Sequence, residues 1–221
     1  MKINKNLVFV TIIILFVLLY CGGVINFPSG ENASKSSLSP SAQNSQNQKI
    51  NDYTAEELAE AVQLGKDNKF DTTKIFNNYL IGYSLGNYGK GYIGISTPYL
   101  SLFFDSASAA KEYKELSSEK INSYLNNNGL GISATAYGDS YDFGDDLSAV
   151  IKMNGQVIHP VKAELSKNVD TTSFWPESPK YSSINYFYFS DFSSFKGKQF
   201  QFVLIKPDGE SVYEVDMNNY K

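Results

Sequence analysis

The chain has 221 residues and a formal net charge of −4, and all 19 of its basic residues are lysines. Without arginine there is no bidentate guanidinium clamp for phosphate, and a net acidic chain is a poor match for nucleic acid, whose affinity rests mostly on phosphate neutralisation. The single cysteine and single histidine rule out an intrachain disulfide, a CxxC redox pair and a cysteine zinc site, and they leave little material for a Cys–His nucleophile.

Abundant Lys, Asn, Ile, Tyr and Phe without Arg is also what AT-rich codons produce, so part of this bias is genomic and points to a bacterial or archaeal cell. No cofactor is expected.

Residues 7–25 form an uncharged, apolar run that follows Lys2 and Lys5. At ~1.5 Å per residue it spans roughly 28 Å as a helix, close to the hydrocarbon thickness of a bilayer. The two lysines keep the N-terminus cytoplasmic and send the rest outward. The segment 1–27 therefore reads as a membrane anchor, an uncleaved signal-anchor helix in the first instance. Leu18-Leu19-Tyr20-Cys21-Gly22-Gly23 resembles a bacterial lipoprotein box with Cys21 as the lipidation site. Tyr20 departs from that pattern, which wants a small residue directly before the cysteine. Soluble secretion is the third reading.

Residues 28–51 are Ser, Asn, Gln, Lys, Ala and Pro with almost no large apolar side chain. Such a segment buries too little surface to offset its ordering entropy, so a flexible polar spacer is expected. Residues 52–221 form the expected extracytoplasmic domain, an α+β unit of short helices followed by a mainly antiparallel β module. An immunoglobulin-like sandwich or a helix-covered sheet would satisfy that pattern.

Tyr53-Thr54-Ala55-Glu56-Glu57-Leu58 predicts a helix start, with Thr54 and Glu57 in capping-box spacing and Gly65 as its end. A weaker helical segment runs through Ile75, Phe76, Tyr79 and Leu80. The glycine-rich stretch 86–91 has neither phosphate-loop nor dinucleotide spacing and reads as a turn before a strand at 92–96. Thr97-Pro98 opens the clearest helix, a capping Thr followed by Pro at the first helical position. Its Tyr99, Leu102, Phe103, Ser106, Ala110 and Tyr113 recur at steps of three and four, as a core-facing stripe would. A short helix at 118–125 follows.

From Leu130 the period becomes two, and strands are expected at 132–137, 147–153, 156–164, 184–190, 199–206 and 211–216. Asn154-Gly155 and Pro207-Asp208-Gly209 are tight-turn sequences.

Two loops carry the candidate sites. The first places Asp139, Asp142, Asp145 and Asp146 on one turn, which is either a solvated acidic turn or a calcium site, although Tyr141 and Phe143 break the EF-hand pattern. The second is a long loop holding Phe174, Trp175 and Tyr181, the sole Trp among them. It is either a hydrophobic plug or a contact platform for a sugar or peptide. His159 before Pro160 reads as a structural or surface residue at an edge strand. Ser117 and Lys120 share the spacing of a Ser–Lys dyad with many ordinary helix caps.

No catalytic residue is expected. The leading expectation is a non-catalytic envelope module bound to the membrane through residues 7–25, with an envelope protein, a peptide or a polysaccharide as partner and no nucleic acid. The alternative is an extracytoplasmic hydrolase using an Asp/Glu pair on cell-wall carbohydrate.

Overall fold

The first helix starts where its cap dictates. A computed structural model describes residues 53–83, 91–126 and 129–221. The expected anchor at 7–25, Cys21, the expected spacer at 28–51 and most of the expected turn at 86–91 lie outside these residues. Helix α1 (Ala55–Asp67) opens with the expected capping box: the Thr54 hydroxyl accepts from the Glu57 N–H at 3.1 Å, and Glu57 accepts from the Thr54 N–H at 2.8 Å.

Gly65 does not end this helix. The chain continues to Asp67, where Asn68 caps through its N–H to the Leu64 carbonyl at 3.1 Å. Gly65 is instead the point of closest approach to helix α3 (Pro98–Lys111), because a Cβ there would stand 2.4 Å from the Phe103 carbonyl oxygen. The Ser106 hydroxyl donates to the Val62 carbonyl at 2.6 Å across the same contact.

Between these helices lie α2 (Thr73–Phe76), a 3-10 helix (Asn77–Tyr79) and strand β1 (Leu80–Ile81), so the weak segment is helical through Tyr79, tightening from α to 3-10, and only Leu80 belongs to a strand. Thr97 caps α3, accepting from the Leu100 N–H at 3.1 Å, with Pro98 in the first turn. All of residues 98–107 are buried, so α3 is a core helix rather than a one-sided one. Phe104 meets Phe76 edge-on at 5.9 Å, and Phe76 in turn overlies Gly94.

Tyr113 was expected at the end of the stripe but lies beyond the helix and is exposed. The chain turns there with φ +57°; the Tyr113 N–H donates to the Ala110 carbonyl at 3.3 Å and the Lys114 N–H to the Ala109 carbonyl at 2.9 Å. That pair of bonds is a Schellman cap, with tyrosine in the position glycine usually takes. Helix α4 (Ser118–Asn126) completes the helical part.

Ten strands form two antiparallel sheets among the described residues. In the first, β1 pairs with β2 (Tyr92–Ser96), then β3 (Leu130–Gly138), then β8 (Tyr181–Phe189) and β6 (Lys162–Glu164), while β7 (Asp170–Thr171) also pairs with β8. In the second the order is β10 (Gly209–Asp216), β9 (Gln199–Lys206), β4 (Ser148–Met153), β5 (Gln156–Ile158). Asn154 and Gly155 both take positive φ, 51° and 75°, as a two-residue type I′ hairpin requires.

The strand expected at 156–164 is in fact two strands in different sheets, β5 on β4 and β6 on β8. Pro160 has no N–H to continue a ladder, so the chain crosses between sheets at His159-Pro160 and re-enters pairing at Val161, whose N–H donates to the Tyr188 carbonyl at 2.8 Å.

The sheets meet ring to ring. Phe202 of β9 lies 5.9 Å from Phe187 and 6.5 Å from Phe189 of β8. Both sheets and the helices contribute to one hydrophobic core, the α+β arrangement expected.

Where α1 and α3 begin, Tyr53 stacks on Phe192 at 5.6 Å and Tyr79 packs on Tyr220 at 5.5 Å. Lys221 closes this corner. Its ammonium donates to both Glu60 oxygens at 2.8 and 2.9 Å, and its carbonyl accepts from the Thr97 hydroxyl. No helix among the described residues is long and apolar enough to cross a membrane.

Candidate functional site

Pairing of β3 with β8 sets Gly138 opposite Tyr181. The acidic turn begins directly after Gly138, and the Trp175 loop ends directly before Tyr181. The antiparallel register therefore brings the two candidate loops out of the sheet side by side, although they are far apart in the chain.

The Trp175 loop connects β7 to β8 as a hairpin, closed by the Thr172 N–H donating to the Lys180 carbonyl at 2.9 Å. Within it the Trp175 N–H donates to the Thr172 carbonyl at 3.2 Å and the Glu177 N–H to the Phe174 carbonyl at 2.7 Å. The Thr172 hydroxyl accepts from the Phe174 N–H at 3.2 Å and donates to the Pro179 carbonyl. The Trp175-Pro176 and Ser178-Pro179 bonds are cis. This loop is tied by its own hydrogen bonds, and Trp175 is 56% exposed on it, with Phe174 39% exposed beside it in sequence. The ring does not plug the core.

The acidic turn is built around Phe143. Its ring lies on Gly138, where an added Cβ would stand 2.3 Å from the ring carbon Cγ, so glycine is needed there for space. The next residue, Gly144, sits on Ser183 and the Ser166 carbonyl. Beneath them the fully buried Asn185 donates to the Ser183 hydroxyl at 3.0 Å and accepts from the Ser166 N–H at 3.0 Å. That network holds the turn from below and leaves Asp142, Asp145 and Asp146 exposed.

Asp139 joins the two loops. One carboxylate oxygen accepts from the Ser178 hydroxyl at 2.9 Å and the other from the Lys180 N–H at 3.2 Å. Its role is positional: a charge-assisted clasp across the hairpin.

Tyr141 is the residue that sequence reasoning missed. It is 64% exposed and meets Tyr181 edge-on at 5.9 Å and 88°. In the sequence it stood only as a departure from a calcium loop. Its place beside Tyr181 follows from the β3–β8 register, and no local signal carries that. Tyr141 and Tyr181 thus pack together where the two loops leave the sheet, and Phe174 and Trp175 stay exposed on the hairpin that Asp139 clasps.

The other candidates do not come together. Among the described residues no group of three or more His, Cys, Asp or Glu side chains could hold a metal ion, and Asp139 is already engaged by the loop. His159 is exposed at the crossover between sheets. The Ser117 hydroxyl accepts from the Lys120 N–H at 3.2 Å as an ordinary cap, while the Lys120 ammonium pairs with buried Asp105 at 2.8 Å, so these two do not form a nucleophile–base pair. A groove of about 450 Å³ beside α1 and α4 is lined by Tyr53, Leu58, Val62, Gln63, Ile121 and Asn122 among others, and by no carboxylate.

No family model matches the chain, and neither a curated protein nor a solved structure matches it.

Proposed function

We propose that the protein is anchored in the membrane by residues 7–25 and that its folded part, a two-sheet sandwich with helices packed against it, works outside the cytoplasmic membrane as a non-catalytic binding module. Its contact face is the Trp175 loop with the acidic turn, and its partner is an envelope protein, a peptide or a polysaccharide.

The observation that carries this reading is the exposed indole on a loop already tied by internal hydrogen bonds. A large ring left in water contributes nothing to the core. A pre-ordered loop loses little entropy on binding, so more of the contact energy survives as affinity. Aromatic faces beside carboxylates suit a ligand that offers hydroxyl or ammonium groups along an apolar edge.

The test is capture from native membranes by the full chain, compared with Trp175→Ala. The variant should lose at least about fivefold of the captured partner while its stability changes by under ~1 kcal/mol, as for other exposed positions. Undiminished capture refutes the assignment of this face. Acrylamide quenching gives a second check, because Trp175 is the sole indole. Partner addition should shield it, and unchanged quenching in a demonstrably bound sample refutes the assignment as well.

A further inference from the structure

The exposed indole of Trp175 stands among unbalanced charge. Asp139, Asp142, Asp145 and Asp146 on the turn, with Asp170 and Glu177 on the hairpin, are all exposed. Two lysines stand against these six carboxylates: Lys180 on the hairpin, and Lys167 beside Ser166, whose carbonyl lies on Gly144 of the turn. Four negative charges are left over, as many as the net −4 of the whole chain. None of the six joins an ion pair among the described residues, whereas seven ion pairs form elsewhere in the fold. Lysine is set beside acid in the rest of the molecule but not here.

The two loops are held in contact, so these charges and the indole act on one ligand. Asp139 accepts from the Ser178 hydroxyl at 2.9 Å, and Ser178 is three residues from Trp175, a reach of at most about 11 Å. Glu177 is two residues from Trp175, its N–H bonded to the Phe174 carbonyl at 2.7 Å. Tyr141, next to Asp142, lays its ring on Tyr181 at the base of the same hairpin. A chain lying on the indole therefore passes within about one Debye length of Asp139 and Glu177, ~8–10 Å at ordinary salt.

Ring and charge together select the occupant. Among the described residues no group of three or more acidic, His or Cys side chains could hold a metal ion. Lipid phosphate and anionic polymers are repelled by this field. A neutral sugar would stack on the indole and gain nothing from the carboxylates. An ammonium or guanidinium group gains from both, since Trp is the best of the aromatic faces for a cation.

We propose that the ligand at Trp175 is a lysine- or arginine-bearing peptide segment of an envelope protein, its cations held by the indole and the carboxylates of the two loops. This rests on the Trp175 loop being the contact face, and it names the chemistry of the partner. The carboxylates speed association and the indole lengthens residence, because long-range charge acts mainly on the on-rate and close contact on the off-rate.

The experiment uses the full chain in an uncharged, sugar-free detergent. The probes are synthetic octapeptides carrying three lysines, three glutamates or no charge, together with chitohexaose and phosphatidylglycerol vesicles. At about 50 mM salt the lysine peptides should bind about tenfold tighter than the neutral ones, and the margin should shrink at about 300 mM. Asp142→Asn with Asp145→Asn and Asp146→Asn should remove most of that margin by slowing association. Trp175→Ala should weaken the lysine peptides about fivefold or more by faster dissociation. Glu56→Gln with Asp71→Asn and Glu214→Gln removes as much charge from exposed positions elsewhere and should change little.

An equal loss in that last variant assigns the preference to the charge of the whole molecule and overturns the proposal. Binding of chitohexaose, neutral peptide or vesicles that depends on Trp175 but not on the carboxylates overturns the cationic partner and leaves the contact face standing. Indifference of every probe to Trp175→Ala overturns both.

Discussion

Replacing Phe202 with alanine removes the ring on which both sheets close. The residue is fully buried, with Phe187 and Phe189 of β8 at 5.9 and 6.5 Å and Tyr213 of β10 at 6.3 Å. An aromatic side chain buries about 150–250 Å², which at ~25 cal/mol/Å² amounts to about 4–6 kcal/mol before the alanine's own share and any collapse of the neighbours are deducted. Three surrounding rings on two stiff sheets collapse poorly, so the expected loss is about 3–5 kcal/mol, in line with large-to-small changes in other cores. At about 2–4 °C per kcal/mol for a domain of this size, the melting temperature should fall by about 6–20 °C. Denaturant unfolding of residues 53–221 should be followed by far-UV circular dichroism, since the exposed Trp175 ring changes surroundings little on unfolding. The slope with denaturant should stay constant while the midpoint falls. A loss below ~1 kcal/mol would show that Phe202 is not the meeting point of the sheets and that the strand faces have been assigned backwards.

Gly65→Ala should destabilise by about 2–3 kcal/mol despite alanine's better helix propensity, because the new Cβ would meet backbone atoms, the Phe103 oxygen at 2.4 Å and the Ala107 nitrogen at 2.9 Å; a neutral or stabilising result in the same melt refutes the close approach of α1 to α3. Tyr113→Gly should stabilise by about 1 kcal/mol, since glycine takes the left-handed position without strain and the exposed ring gives up only its contact with Lys69; a loss of stability refutes the Schellman geometry. Burial pushes the Tyr79 phenol up to about 12 and raises Tyr53 and Tyr99 as well, whereas unfolded tyrosines ionise near 10. The folded state thus holds these protons to higher pH, so their contribution is complete below about pH 10 and lost as pH rises towards 12. Phenolate absorbance recorded alongside circular dichroism should show their ionisation coinciding with unfolding, and full tyrosine ionisation near pH 10 with the fold intact would refute it.

Local hydrogen bonding made several elements legible in the linear chain. Thr54 with Glu57, Thr97 with Pro98 and Asn154 with Gly155 each satisfy backbone groups or torsions within a few residues, so residue type alone specifies the geometry. The period-two run at 199–206 likewise announced a strand, and β9 forms there with Phe200, Phe202 and Leu204 buried, although Val203 between them is buried as well.

Where residues answer to partners far along the chain, the sequence was silent or misleading. Gly65 resembled a helix terminator until the α3 backbone was seen against it, and the segment 156–164 resembled one strand until its halves found different sheets. The same holds at the candidate site. Asp139 and Trp175 were each visible as residues, but the clasp from Asp139 to Ser178 and Lys180, and the seating of Tyr141 on Tyr181, exist because Gly138 pairs with Tyr181. Register is a property of two strands at once, set by which faces must be buried together, and only tertiary packing settles it.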